Sequence, residues 1–276
     1  MNISGKLVLV TGASRGIGAA IARAMARAGA AQVLLLARTE AGLKAVADEI
    51  RVNGGTARCY KVDLSDRTAV ENVVRRILGD VGVPDIIINN AGSGRWRFLT
   101  DTGPEEIEQI MALPYFAAAW ITRGFLPGMV QRNSGHIVNI SSVASRMAWP
   151  GATAYIAACR AMRGLSDALR ADLHRTGIAV THYESGPVDS PYWQNNAGSR
   201  DRVPKIAAWL VPTLKEAAVA KAVVAGVTRN RRLIVVPTAL RAVYLLHFCF
   251  PWLVQWLVTV TGYRAPSTEA SDASTN

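Results

Sequence analysis

Three glycines set the first chemistry in this chain. Gly12, Gly16 and Gly18 punctuate Thr11-Gly12-Ala13-Ser14-Arg15-Gly16-Ile17-Gly18, between an apolar run at residues 7–11 and a helix-period segment at 18–28. Residues without a Cβ let the backbone turn sharply and approach a pyrophosphate, while the helix start that follows offers unpaired N–H groups and partial positive charge. A glycine turn between strand and helix points to a dinucleotide cradle, with Ser14, Arg15 and Ile17 as its intervening members. The next apolar run ends Leu36-Ala37-Arg38. A carboxylate there would grip ribose hydroxyls and select NAD(H); Arg38, with Arg15 closing from the other side, suits a 2′-phosphate and selects NADP(H). A third run ends Val62-Asp63-Leu64, where a carboxylate can accept from an adenine amino group beside Leu64.

The elements that must hold these residues are legible as alternating patterns. Residues 7–11, 33–36, 57–62, 85–89, 136–140, 178–183 and 233–236 are short runs rich in Val, Ile and Leu without polar alternation, as strands buried on both faces require. Between them, 18–28, 40–53, 67–79, 104–131, 155–175 and 214–228 carry helical periodicity. Such alternation predicts an α/β fold: a single Rossmann-type, doubly wound parallel sheet over residues 1–237 with right-handed crossovers. Ligands in such sheets bind beyond the carboxyl ends of the strands, where the residues above fall.

The glycine turn, together with Asn89-Asn90-Ala91-Gly92 after the fourth strand, resembles the short-chain dehydrogenase/reductase family over roughly residues 4 to 237. Gly135-His136-Ile137-Val138-Asn139-Ile140-Ser141-Ser142, followed thirteen positions after Ser142 by Tyr155, fits as well. The resemblance implies a cofactor floor at Asn90, Ala91 and Gly92. Ser142 would donate to a substrate oxygen, and Tyr155 would be the acid/base that protonates the alkoxide as hydride arrives. It further implies nicotinamide contacts from Tyr155 and from the backbone near Gly186 and Val188, within Ser185-Gly186-Pro187-Val188 where the family has Pro-Gly.

Two expected side chains are absent. The family's lysine, four residues after the tyrosine, is Cys159 here, and no lysine occurs between Lys61 and Lys205, so no shift of alignment restores it. Arg160 lies about 140° round the helix from Tyr155 and Arg163 about 12 Å along it, so neither substitutes simply. The family's structural asparagine falls at Pro114, within a stretch free of asparagine from 91 to 132, and a proline there kinks the helix. Cys159 reads as a small apolar filler rather than a nucleophile. Ser93-Gly94-Arg95-Trp96-Arg97 makes an unusually cationic loop, read either as solvated surface or as the source of the missing positive charge through Arg95 or Arg97.

Composition bounds the rest. The chain has 276 residues, half of them hydrophobic, and a formal net charge of +11 from scattered arginines without a basic–aromatic run, which argues against a nucleic-acid partner. Cys59, Cys159 and Cys249 are distant and odd in number, indicating neither a disulfide framework nor a metal site. Chain entry directly into an apolar strand leads to the expectation of a cytoplasmic protein. From 242 to 262 no residue is formally charged, and Arg241, Arg264, Tyr244, Trp252, Trp256 and Tyr263 flank or punctuate the run. This predicts an apolar helical extension over 238–265, serving as lid, subunit interface or peripheral membrane contact. Pro251 divides it, favouring a hairpin over a straight span. A disordered tail is expected at 266–276, a homo-oligomer is the expected assembly, and a small lipophilic molecule the expected substrate. The functional expectation is an NADP(H)-dependent oxidoreductase of carbonyl reductase or alcohol dehydrogenase type. The depleted catalytic set leaves open a non-redox cyclase, isomerase or lyase, or a cofactor-binding protein without turnover.

Overall fold

The computed structural model describes residues 1–264; the expected disordered tail lies outside them. The chain runs β1 (Leu7–Thr11), α1 (Gly16–Arg27), β2 (Gln32–Ala37), α2 (Glu40–Val52), β3 (Ala57–Lys61), α3 (Arg67–Asp80), β4 (Ile86–Asn89), α4 (Pro104–Met111), α5 (Ala117–Gln131), β5 (Gly135–Ile140), α6 (Thr153–Asp172) and β6 (Ile178–Ser185). It continues through β7 (Val188–Asp189), α7 (Tyr192–Asn195), α8 (Lys205–Leu210), β8 (Leu214–Lys215), α9 (Glu216–Thr228), β9 (Leu233–Val236), α10 (Thr238–Cys249) and α11 (Pro251–Val260). Seven strands form one parallel sheet in the order β3-β2-β1-β4-β5-β6-β9, and β7 pairs with β8 apart from it.

Alternate strand residues feed two cores. Val8 and Val10 pack with Ile21 and Met25 of α1, Leu43 of α2 and Val223 of α9. Leu9 turns the other way, to Val70 and Ile77 of α3, Phe125 of α5 and Leu169 of α6. Burial on both faces explains why the strand sequences carry no polar alternation.

Two elements differ from the sequence expectation in instructive ways. The helix expected over 104–131 is divided by a π turn at Ala112–Phe116, centred on the buried Pro114. Proline lacks the N–H for the regular i→i−4 bond and its ring crowds the preceding turn, so the helix widens there. The helix expected from 214 starts at Glu216, because Leu214 and Lys215 pair with β7. At the C-terminus, α10 and α11 bend by 117° across the residue before Pro251, giving a hairpin. Among the described residues no single helix is long and apolar enough to cross a bilayer.

One row of the sheet is polar. Asn89, Asn139 and His182 sit in register on β4, β5 and β6, all buried. Asn89 Nδ2 donates to Asn139 Oδ1 (2.9 Å) and to Thr122 Oγ1 (3.1 Å). Asn139 Nδ2 donates to Ser166 Oγ of α6 (2.9 Å), which also bonds His182 Nδ1 (3.0 Å). Burial pushes the His182 imidazole down to about 4, so the row is neutral at physiological pH.

Candidate active site

The carboxyl ends of β1, β2 and β4 build a cleft of about 380 Å³. Gly12 and Gly16 hold positive φ (66° and 63°), which L side chains rarely adopt. Gly18 is required for a different reason: a Cβ there would collide with the Gly12 carbonyl oxygen and come within 2.5 Å of Asn90 Nδ2. Arg15, at the start of α1, makes no side-chain cap, so the first-turn N–H groups stay available to an anion. This backbone cradle fits a dinucleotide pyrophosphate.

The cradle floor is clamped by one side chain. Thr11 Oγ1 accepts from the backbone N–H groups of Asn90 (2.9 Å) and Ala91 (3.0 Å), and Asn90 Nδ2 donates to the Thr11 carbonyl (3.0 Å). The turn after β4 is therefore locked to the turn after β1. Gly12, Ser14, Arg15, Gly16, Ile17, Gly18, Arg38, Leu64, Asn90, Ala91 and Gly92 all line this cleft.

Asp63 is engaged by its own neighbours. Its Oδ1 accepts from the Ser65 hydroxyl (2.6 Å) and backbone N–H (3.0 Å), and its Oδ2 lies 3.9 Å from Arg38 Nη1. Partial burial pushes this carboxyl up, but the two Ser65 hydrogen bonds and Arg38 outweigh it and hold it below the usual range. The carboxylate thus steadies Arg38 at the cleft edge, while its neighbours Val62 and Leu64 face the cavity.

A second cavity, of about 210 Å³ and largely apolar, lies beyond the first. Ile17, Ser190 and Tyr192 line both. Its wall carries Ser142, Tyr155, Gly186 and Val188, so the expected catalytic pair and the expected nicotinamide contacts share one space. Burial pushes the Tyr155 phenol well above the usual 10, Cys159 and Tyr192 push the same way, and a hydrogen bond with Ser142 works against them. Among the described residues nothing cationic stands beside it to favour a phenolate. Cys159, 4% exposed, packs against the cluster containing Trp96, Trp149 and Ile156, and burial raises its thiol to about 12. Its burial and raised thiol fit a small apolar filler rather than a nucleophile.

The arginines do not restore the missing charge. Arg95 is exposed; Arg97 lies 3.5 Å from Glu106 and donates to the Asp101 carbonyl (3.2 Å). Neither lines either cavity, so the solvated-surface reading of this loop holds. Arg163 Nη1 donates to Glu184 (2.9 Å) and Arg160 is exposed. Glu184, fully buried at the end of β6, also accepts from Ser145 Oγ (2.9 Å) and Arg146 Nε (2.8 Å). A buried carboxylate left unpaired would cost several kcal/mol, so these donors are held in place, and with them the turn that carries Ser142 (about 3–5 kcal/mol on loss of a partner).

Sequence reasoning missed the aromatic floor. Trp96, flanked by the two arginines, points inward: its ring lies 5.3 Å from Tyr155, 5.1 Å from Trp149 and 5.5 Å from Trp193. Trp96 Nε1 donates to the Tyr192 oxygen (3.0 Å), and the Tyr192 hydroxyl donates to the Gly94 carbonyl (2.9 Å). Tyr192 thereby forms the partition between the cavities. Ser190, two residues beyond Val188, was detectable from its place after the sixth strand; Trp96 and Tyr192 carry no local signal. The hairpin completes the pocket, with Leu240, Val243, Val254 and Val258 facing inward.

Comparison with known proteins agrees with this architecture. A family model described as short chain dehydrogenase matches residues 6–201. An uncharacterized oxidoreductase of Mycobacterium tuberculosis is 42% identical over 194 residues, covering 68% of this chain and 57% of the relative. A fatty acyl-CoA reductase of Acinetobacter baylyi is 37% identical over 182 residues, covering 65% and 61%. The chain thus spans less than two thirds of the length of these curated relatives. Among solved structures, a metagenomic short-chain oxidoreductase in complex with NADP superposes with a TM-score of 0.72 at 30% identity, covering 86% of this chain and 98% of that one. A short-chain dehydrogenase from Sphingobium yanoikuyae in complex with NADPH gives 0.77 at 25% identity, covering 97% and 99%.

Proposed function

The chain belongs to the short-chain dehydrogenase/reductase family, and on that premise we propose that it is an NADP(H)-dependent carbonyl reductase acting on a lipophilic substrate. The observation that carries this reading is the shared wall: Ser142 and Tyr155 line an apolar cavity that meets the glycine cleft at Ile17, Ser190 and Tyr192. Bound NADPH would supply hydride. Gly12, Gly16 and Gly18 would admit its pyrophosphate, and Arg38 with Arg15 its 2′-phosphate. Both solved neighbours named above hold NADP or NADPH, which supports that preference.

On the chain's side, the Ser142 hydroxyl donates to the substrate oxygen and orients it toward Tyr155. Tyr155 then gives its proton to the oxygen as negative charge builds there. A phenol raised well above 10 is protonated at neutral pH, so it can donate, as a weaker acid than one tuned toward neutrality, and the reverse reaction is starved of the phenolate it needs as base. The neutral Cys159 therefore biases the site toward reduction at neutral pH. The apolar lining, from Trp149, Met147, Val254 and Val258, selects a hydrocarbon-rich substrate, a preference in keeping with the acyl substrate named for the Acinetobacter relative.

Cys159 also favours a second reading, in which Tyr155 acts as acid in a non-redox isomerisation or elimination beside a retained cofactor. One series separates the two. NADPH fluorescence is titrated with the protein, NADH serving as comparator, and oxidation is followed with long-chain ketones and aldehydes. Tight NADPH binding with oxidation supports the reductase. Tight binding with substrate converted but no NADPH consumed supports the second reading, and failure to bind NADPH overturns both.

A further inference from the structure

The α10–α11 hairpin has two faces with different surroundings. Its inner face walls the apolar cavity through Leu240, Val243, Val254 and Val258. Its outer face leaves large apolar rings in water: Phe248 is 82% exposed and Trp252 70%, joined by Leu245, Phe250 and Trp256. Trp209 of the adjacent α8 is 80% exposed. Contiguous exposure of this kind marks an interaction surface rather than ordinary solvent-facing chain.

Charge identifies what the surface fits. The outward rings gather around the bend, and the cations stand at the base: Arg241 in the first turns of α10, Arg264 beyond α11, and exposed Lys205, whose backbone N–H bonds the Thr261 carbonyl. Arg241 further borders a shallow hollow with Arg146 and Arg231. No carboxylate side chain occurs between Glu216 and Arg264. An apolar tip over a cationic base complements a bilayer, whose acyl region takes the rings and whose anionic headgroups take the arginines. A second copy of the chain would instead set like charges against each other.

We propose that the hairpin tip seats in the headgroup–acyl boundary of an anionic bilayer, and that the cavity behind it receives its substrate from that bilayer rather than from water. The docking stands on the hairpin alone; the substrate route rests on the reductase reading above. Leu246 and Leu257, which line the cavity from the hairpin itself, place the entry beside the inserted face.

The full chain is floated with vesicles of phosphatidylcholine and with vesicles of equimolar phosphatidylcholine and phosphatidylglycerol, beside the Phe248→Ser/Trp252→Ser variant and Arg241→Glu. Both variants alter exposed side chains, and circular dichroism checks their folding. The expected result is flotation with the anionic vesicles only, reduced at least about tenfold in both variants and by high salt. NADPH oxidation should fall about as much in the double variant with a long-chain ketone held in vesicles, and stay unchanged with a short, water-soluble ketone. No flotation of the full chain overturns the docking. So does gel filtration showing a dimer that the double variant splits, since a second copy then covers the face. Flotation without NADPH oxidation of any ketone leaves the docking standing and removes the reductase; soluble-ketone turnover without flotation does the reverse.

Discussion

The two cavities meet at Tyr192 but are made in opposite ways. The dinucleotide cleft is built from backbone: positive φ at Gly12 and Gly16, a missing Cβ at Gly18, open N–H groups at the start of α1, and a Thr11 clamp on the turn after β4. The apolar pocket is built from side chains that meet only in three dimensions, Trp96, Trp149, Tyr155 and Tyr192 among them, closed by α10 and α11. A backbone cradle depends on local geometry and tolerates little. A side-chain pocket depends on bulk and can be repacked, so variation in substrate is expected to be recorded on that side of Tyr192.

Three substitutions would break or sharpen the contrast. Tyr155→Phe removes the proposed proton donor while keeping the ring against Trp96. Reduction should fall about 10²–10⁴-fold with NADPH affinity nearly unchanged. In the unmodified protein the raised phenol keeps its proton through neutral pH. The reductive rate should therefore stay level below pH 10, declining only as pH rises through the raised value, while alcohol oxidation rises over that range. A reductive rate already titrating near neutrality would show that some other group is the acid.

Gly18→Ala tests the backbone side. The added Cβ meets the Gly12 carbonyl oxygen, which no side-chain movement relieves. NADPH affinity should drop at least about 100-fold, or roughly 2.7 kcal/mol. Uptake of a lipophilic fluorescent probe by the apolar pocket should persist. Simultaneous loss of both would mean the two cavities form one cooperative unit.

The smallest effect is expected at Cys159. With its thiol raised to about 12 it neither ionises nor attacks at neutral pH. Cys159→Ala should change turnover less than about threefold, under roughly 1 kcal/mol of barrier. A larger loss would assign the thiol a part in the proton path.

What could be read from sequence follows the same division. Strands buried on both faces announce themselves as unbroken Val/Ile/Leu runs, and the strand–glycine–helix turn carries its chemistry in consecutive residues, so both were legible. Pro114 signalled a break in the long helix but not its form, because a π turn and a kink answer the same missing N–H. In the loop after Gly92 the charges could be read as solvated surface but the ring could not be placed: Arg95 and Arg97 face solvent and Glu106, while the uncharged Trp96 between them enters the site. Alternating orientation in an irregular loop has no periodicity to betray it. Asp63 sits at the end of the third strand, as expected, but its links to Ser65 and Arg38 are not announced by that position.

The polar row across Asn89, Asn139 and His182 bears on a problem of any sheet made of near-uniform aliphatic strands. One isoleucine packs much like the next, so β4, β5 and β6 could slide past one another with little change in buried hydrocarbon. Sliding by one residue would turn Asn89 and Asn139 away from each other and from Ser166, stranding amides in a dry interior at about 1–3 kcal/mol apiece. The row acts as a key that only one alignment fits. It fixes where Asn89 ends and Asn90 begins, and so the height at which the cofactor floor and the Ser142 turn stand relative to one another.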